Sequence, residues 1–111
     1  MKSMIDKIQN AMYLQCQGRG YTAPVDVLMD LGVLDKKKYD DWRCGRVPYL
    51  EAVCNGNLHK LSEIMKEIRS FAEQNSWQPS LSSYKHKGKE LRFSKTGNPQ
   101  IEKAYATHYV V

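Results

Sequence analysis

From residue 48 to residue 73 the chain repeats apolar side chains at the spacing of one helical face. They stand at Leu50, Val53, Cys54, Leu58, Leu61, Ile64, Met65, Ile68, Phe71 and Ala72, separated by ones, threes and fours. Lys60, Glu63, Lys66, Glu67, Arg69 and Glu73 fill the other face. Pro48 suits a first helical turn, where a missing N–H loses nothing. Asn55-Gly56-Asn57 is the weak point, since Gly in a helix interior costs about 1 kcal/mol relative to Ala. The stripe keeps its phase across Gly56, so the pattern predicts one long central helix over 48–73. Such a stripe is unstable alone, and the rest of the chain must cover it.

A chain of 111 residues is expected to be a single domain over 1–111. It can bury a core without disulfides or metal. Lys and Arg number 17 against 12 Asp and Glu, for a net charge of +5, a balance that favours polyanions. Cys16, Cys44 and Cys54 are an odd count. Asp6 and Lys7 stand where a secretory leader would be apolar. No apolar run approaches the roughly 18–20 residues that cross a bilayer. The expectation is a cytoplasmic protein with reduced thiols and no membrane contact.

Before the stripe the chain reads as three shorter helices. The first covers 3–17, opened by a Ser3/Asp6 capping box and closed at Gly18-Arg19-Gly20. This Gly-x-Gly is no phosphate loop, because no strand precedes it. The second covers 22–31, with Pro24 in its first turn and Gly32 beyond its end. The third covers 36–44, capped by Asp35 and ended by Gly45. Two short helices around Gly32-Val33-Leu34-Asp35 have the outline of a helix-turn-helix. After the stripe, Trp77-Gln78-Pro79 is a connector. A C-terminal two-stranded antiparallel hairpin over 81–94 follows, turning at Lys87-Gly88-Lys89. Asn98 and Pro99 then open a last helix as N-cap and first residue. The predicted class is α+β, mainly helical.

One local rule is broken. Lys36, Lys37 and Lys38 occupy the first turn of the third helix, where the macrodipole disfavours each cation by about 0.3–1 kcal/mol. A phosphate on that turn reverses the sign. The plainer reading is a solvated charge run offset by Asp35, Asp40 and Asp41. The hairpin adds Lys85, Lys87, Lys89, Arg92 and Lys95 against Glu90 alone. A helix-turn-helix followed by a basic hairpin has the parts of a winged helix bound to double-stranded DNA. Arg43 and Arg46 carry the group that pairs with guanine, and the lysines position the protein on phosphates. Against this stand Asp40 and Asp41 on the reading helix, and a long helix interposed before the hairpin.

Leu31-Gly32-Val33, Trp42-Arg43-Cys44-Gly45-Arg46-Val47-Pro48 and Leu50-Glu51 resemble the helix-turn-helix of phage-repressor-type (Xre) regulators. The likeness departs by one residue before Trp42 and by one before Pro48, and lacks the usual Gln, Ser and Thr opening the recognition helix. The tail is more distinctive. Arg92-Phe93-Ser94-Lys95, Gly97, Pro99, Ile101-Glu102, Ala104-Tyr105 and Thr107-His108-Tyr109-Val110 resemble a family of small uncharacterised bacterial proteins. That resemblance implies a bacterial single-domain protein and implies no activity.

Other functions have weaker signals. Cys44, Cys54 and His59 lack the close Cys pairs of structural zinc sites, so no metal or other cofactor is expected. Cys44 lies near Arg43 and Arg46, but no motif ties a base to it, so the chain does not read as an enzyme. The alternative to DNA binding is a protein-interaction or assembly module. Tyr13, Tyr21, Tyr39, Trp42, Tyr49, Trp77, Tyr84, Tyr105 and Tyr109 suit such a surface, and an unpaired hairpin edge suits a homodimer.

Overall fold

The computed structural model describes residues 3–111. Helix α1 runs Met4–Arg19. The Ser3 hydroxyl accepts from the Asp6 N–H at 3.1 Å, and the Ser3 N–H donates back to the Asp6 carboxylate at 3.4 Å, the reciprocal cap its sequence predicts. Gly20, at φ +82°, ends the helix. Strand β1 is Tyr21–Thr22. Helix α2 spans Pro24–Asp30, with Pro24 in its first turn. Past Gly32 the N–H groups of Val33 and Leu34 both donate to the Leu28 carbonyl, at 3.0 and 3.1 Å. Helix α3 then spans Lys36–Arg43. Asp35 occupies its N-cap position but makes no side-chain capping bond.

The central helix α4 is Leu58–Gln74, shorter than the expected 48–73. Residues Leu50–Val53 form a separate 3-10 turn, and Gly56 sits at φ +107°, outside helical space. The stripe was a sound guide to burial, because Leu50 is fully buried and Val53 and Cys54 are half-buried. It misled on continuity because the backbone donors of this stretch have other partners. Leu50 and Glu51 donate to the carbonyls of Arg92 and Phe93 at 3.1 and 2.9 Å, and Asn55 donates to Val33 at 2.7 Å. Asn57 then caps α4 by accepting from Lys60 at 2.8 Å. A good N-cap immediately past a glycine outweighed an unbroken phase. Leu61, Ile64, Ile68 and Ala72 of α4 face the core with Ile8, Ala11 and Met12 of α1, and Gln9 donates to Glu67 at 2.9 Å.

Two small sheets complete the fold. Strands β2 (Gln78–Leu81) and β5 (Thr107–Val110) join β1 in the order β1-β5-β2, antiparallel throughout. The C-terminal tail is therefore the centre of a sheet, which its sequence did not announce. Strands β3 (Lys85–His86) and β4 (Lys89–Glu90) form the hairpin. Its loop is Lys87-Gly88, at φ +51° and +80°, the two-residue geometry that matches strand twist. The Leu91 N–H continues the ladder to the Tyr84 carbonyl at 2.8 Å. The expected strands over 81–86 and 90–94 are thus cut short: Leu81 pairs with Thr107 in the larger sheet. Phe93 and Ser94 instead donate to the Glu102 carboxylate, at 2.8 and 2.6 Å. Helix α5 spans Pro99–Ala106, with Asn98 accepting from Gln100 and Ile101. The class is α+β.

Candidate nucleic-acid interface

Trp42 organises the meeting of α3 and the hairpin. It is fully buried. Its ring lies 5.5 Å from that of Tyr84, 5.1 Å from Phe93 and 6.1 Å from Tyr39, each tilted, the offset arrangement aromatic rings prefer. Its indole N–H donates to the Arg92 carbonyl at 2.8 Å. Next along the chain, the Arg43 guanidinium carbon stands 5.2 Å from the Tyr84 ring centroid. Its Nη1 is buried with no hydrogen-bond partner among the described residues, leaving the π face of the ring to compensate it. Gly45, at φ +73°, lies so close to His86 that an added Cβ would stand 3.1 Å from the imidazole. The C-terminal end of α3 and the root of the hairpin are therefore one packed unit.

The sequence-derived cations divide by position on that unit. In the ribbon Lys85 lies opposite Glu90, and His86 opposite Lys89. Cross-strand partners share a face, so Lys89 shares the face of His86, which is turned to Gly45 of the loop after α3. Lys85 shares the other face with Glu90, and Lys87 is at the tip. Lys85, Lys87 and Lys89 are all exposed. Arg46, exposed, pairs with Asp41 at 3.2 Å. Lys36 pairs with Asp40 at 3.0 Å and lies 4.9 Å from the Tyr39 ring centroid. Its hydrogen bond to Asp40 raises the ammonium pKa. Lys37 and Lys38 are exposed. At a rise of about 1.5 Å per residue this first turn is roughly 10 Å along α3 from Arg43, well within the ~34 Å of one duplex turn.

Arg92 and Lys95 belong to a different structure, the loop before α5. Arg92 Nε donates to the Ser94 carbonyl at 2.8 Å, and its Nη2 donates to the Lys95 carbonyl. The guanidinium lies against the space at Gly97, where a Cβ would meet it at 3.4 Å. Arg92 is exposed and braces this loop through two of its guanidinium nitrogens. Lys95 is exposed, and its N–H donates to Glu51 at 2.9 Å.

The same loop explains the distinctive tail. Glu102 takes the N–H groups of Phe93 and Ser94 and the Ser94 hydroxyl. Ser94 in turn accepts from Gly97 at 3.0 Å. Tyr105 stacks on Phe93 at 5.5 Å and donates to Glu51 at 2.8 Å. The loop is a concave array of N–H groups filled by two carboxylates of the chain's own. Reading the tail residues one at a time missed this. The signal was the Glu three residues past Pro99, one turn into a helix that faces the loop.

Beyond the hairpin root, the Tyr84 hydroxyl and His108 Nε2 are 2.8 Å apart, and the His108 ring stacks on Tyr21 at 5.4 Å. Arg19 pairs with Asp26 at 2.6 Å nearby and caps the Tyr21 ring at 4.1 Å. Burial lowers the pKa of His108, partly opposed by Asp26, and burial raises that of Tyr84. These contacts tie the hairpin root to the central strand of the sheet. Of the thiols, Cys44 is exposed. Cys54 is half-buried, donates to the Leu50 carbonyl at 3.5 Å, and is pushed up to about 11 chiefly by burial. Among the described residues no three His, Cys, Asp or Glu side chains gather at metal-binding distance, and no helix is long and apolar enough to cross a membrane.

Comparison with protein-family models, with curated proteins and with solved structures finds no match to this chain.

Proposed function

We propose that the protein binds double-stranded DNA along the phosphate backbone, with little sequence preference, through the hairpin and α3. One observation carries this reading: Trp42 and Arg43 pack the hairpin root at Tyr84 against the end of α3. Cations far apart in sequence then sit on one packed unit, so the backbone that carries them needs little ordering on binding. Lys37, Lys38, Lys85, Lys87 and Lys89 have no carboxylate within ion-pair distance among the described residues. Lysines position a protein on phosphate without reading sequence. The two arginines suited to guanine are engaged, Arg46 by Asp41 and Arg43 by Tyr84. Asp40 and Asp41 on α3 would also repel a phosphate backbone, which favours the hairpin as the leading contact. Titration of a labelled duplex at several salt concentrations tests the reading. Affinity should fall steeply with salt and differ little between unrelated sequences. Undetectable binding at low salt would reject it.

A further inference from the structure

The larger sheet has two faces with different surroundings. Tyr21, His108 and Ser80 alternate with Thr22, Tyr109 and Pro79 in the register of the strands. His108 reaches Tyr84 and the hairpin root. On the opposite face, Tyr109 and Pro79 help to line a groove of about 870 Å³ that runs between α4 and α5. That volume lies within the ~300–1,000 Å³ of sites that bury a ligand. α4 contributes a second stripe here, Leu58, Ser62, Met65 and Arg69, distinct from its core stripe. α5 contributes Ile101 and Ala104. Leu58 is 52% exposed and Ile101 40% exposed, so apolar side chains on both walls remain in water.

Charge and backbone identify the occupant. The carboxylates at the groove are already engaged: Glu73 pairs with Arg69 at 3.1 Å, and Glu51 accepts from Tyr105 and Lys95. Lys66 on one wall and Lys103 on the other have no ion-pair partner among the described residues. Lys66 and Lys103 therefore stand as two unpaired cations beside the apolar floor. A second copy of the chain fits poorly. Each copy carries +5. Ser82 donates to Ala106 at 3.0 Å, which by alternation turns the backbone of Pro79 and Leu81 to the outer edge of β2. Pro79 has no N–H to offer there, which blunts the edge against strand addition.

We propose that the α4–α5 groove docks an acidic amphipathic helix of a protein partner, its apolar face against Met65, Ile101 and Tyr109 and its carboxylates at Lys66 and Lys103. This stands apart from the proposed DNA contact, which is assigned to the β3–β4 hairpin and α3. The test is selection of a displayed library of random dodecapeptides against the full chain at physiological salt. Enriched peptides should combine apolar residues at helical spacing with Asp and Glu. They should shift the emission of Trp77, which lines the groove, while Trp42 is fully buried. Binding should weaken at least about tenfold in Ile101→Glu, as when a central apolar anchor is lost. Lys66→Glu with Lys103→Glu should turn the selected peptides from acidic to basic, a reversal that a merely sticky surface would not show. The proposal is overturned by enriched peptides without acidic bias, by binding that survives Ile101→Glu, or by no enrichment. Concentration-dependent dimerisation through the groove, or preference for a long-chain fatty acid over any peptide, would overturn it as well.

Discussion

The Trp42 indole donates to the carbonyl of Arg92, 50 residues away in sequence, and joins the end of α3 to the chain leaving the hairpin. The same carbonyl accepts from the Leu50 N–H at 3.1 Å. Three segments that are remote in sequence therefore meet at one oxygen. The relative placement of helix and hairpin depends on it.

Trp42→Phe keeps an aromatic ring but removes the donor. The Arg92 carbonyl retains Leu50, so the loss should be near the low end of a buried hydrogen bond, about 1 kcal/mol. Trp42→Ala should lose about 3–5 kcal/mol, because it also leaves a large cavity. Urea unfolding measures both. Equal losses would mean that volume is irrelevant at this site.

Gly56 separates two accounts of the central helix by the sign of one number. At φ +107° any side chain is strained, so Gly56→Ala should destabilise by more than about 1 kcal/mol. A helix continuous over 48–73 would instead gain about 1 kcal/mol from the same change. The shift in urea midpoint decides between them.

Glu102→Gln removes the charge and turns an amide donor toward N–H groups that need an acceptor. With three hydrogen bonds at stake, the loss should be about 1–3 kcal/mol. Amide exchange at Phe93 and Ser94 should accelerate. Unchanged exchange there would mean that the carboxylate does not hold the loop.

His108 makes stability depend on pH. Burial lowers its pKa below the ordinary 6.5, so the unfolded chain takes up the proton first as pH falls. The contribution is complete above about pH 6.5 and is lost as pH falls through the lower folded value. Urea midpoints at a series of pH values should decline over that window. His108→Gln, which keeps a polar group for Tyr84 but does not titrate, should decline less. An identical profile in the variant would assign the loss to other groups.

Thiol reactivity should rank by burial. Cys54 is pushed up to about 11 and Cys16 is buried with a raised pKa, whereas Cys44 is exposed. Iodoacetamide at mildly alkaline pH should therefore label Cys44 first, since the thiolate is the nucleophile. Peptide mass spectrometry reads the order. Faster labelling of Cys54 would mean that the 3-10 turn opens readily.

Several helix ends were readable in the sequence from a local cap, the exception being Asn57 at the start of α4. Ser3 with Asp6, Pro24, Gly32 and Asn98 all act where their chemistry places them, because a cap depends only on its near neighbours. The position of the hairpin turn was readable at Lys87-Gly88-Lys89, although Lys89 itself belongs to β4. Partners distant along the chain were not. Nothing local says that Thr107–Val110 is a central strand, because its partners lie at 21–22 and 78–81. Nothing local says that Leu50 and Glu51 bond to 92–93 in place of extending a helix. Of the candidate site, the residue types could be chosen from composition, but the packing of Trp42 and Arg43 on Tyr84 could not. The bonds of Arg92 to the Ser94 and Lys95 carbonyls and the ion pair of Arg46 with Asp41 required coordinates.

The salt dependence of duplex binding in a paired-lysine variant tests the central claim most directly. Each lysine on a phosphate releases about one counterion, so Lys87→Ala with Lys89→Ala should flatten the slope of log affinity against log salt by about 2. Lys66→Ala with Lys103→Ala, on α4 and α5 at the groove, should leave that slope unchanged. An identical slope in the hairpin variant and the wild-type chain would contradict the account.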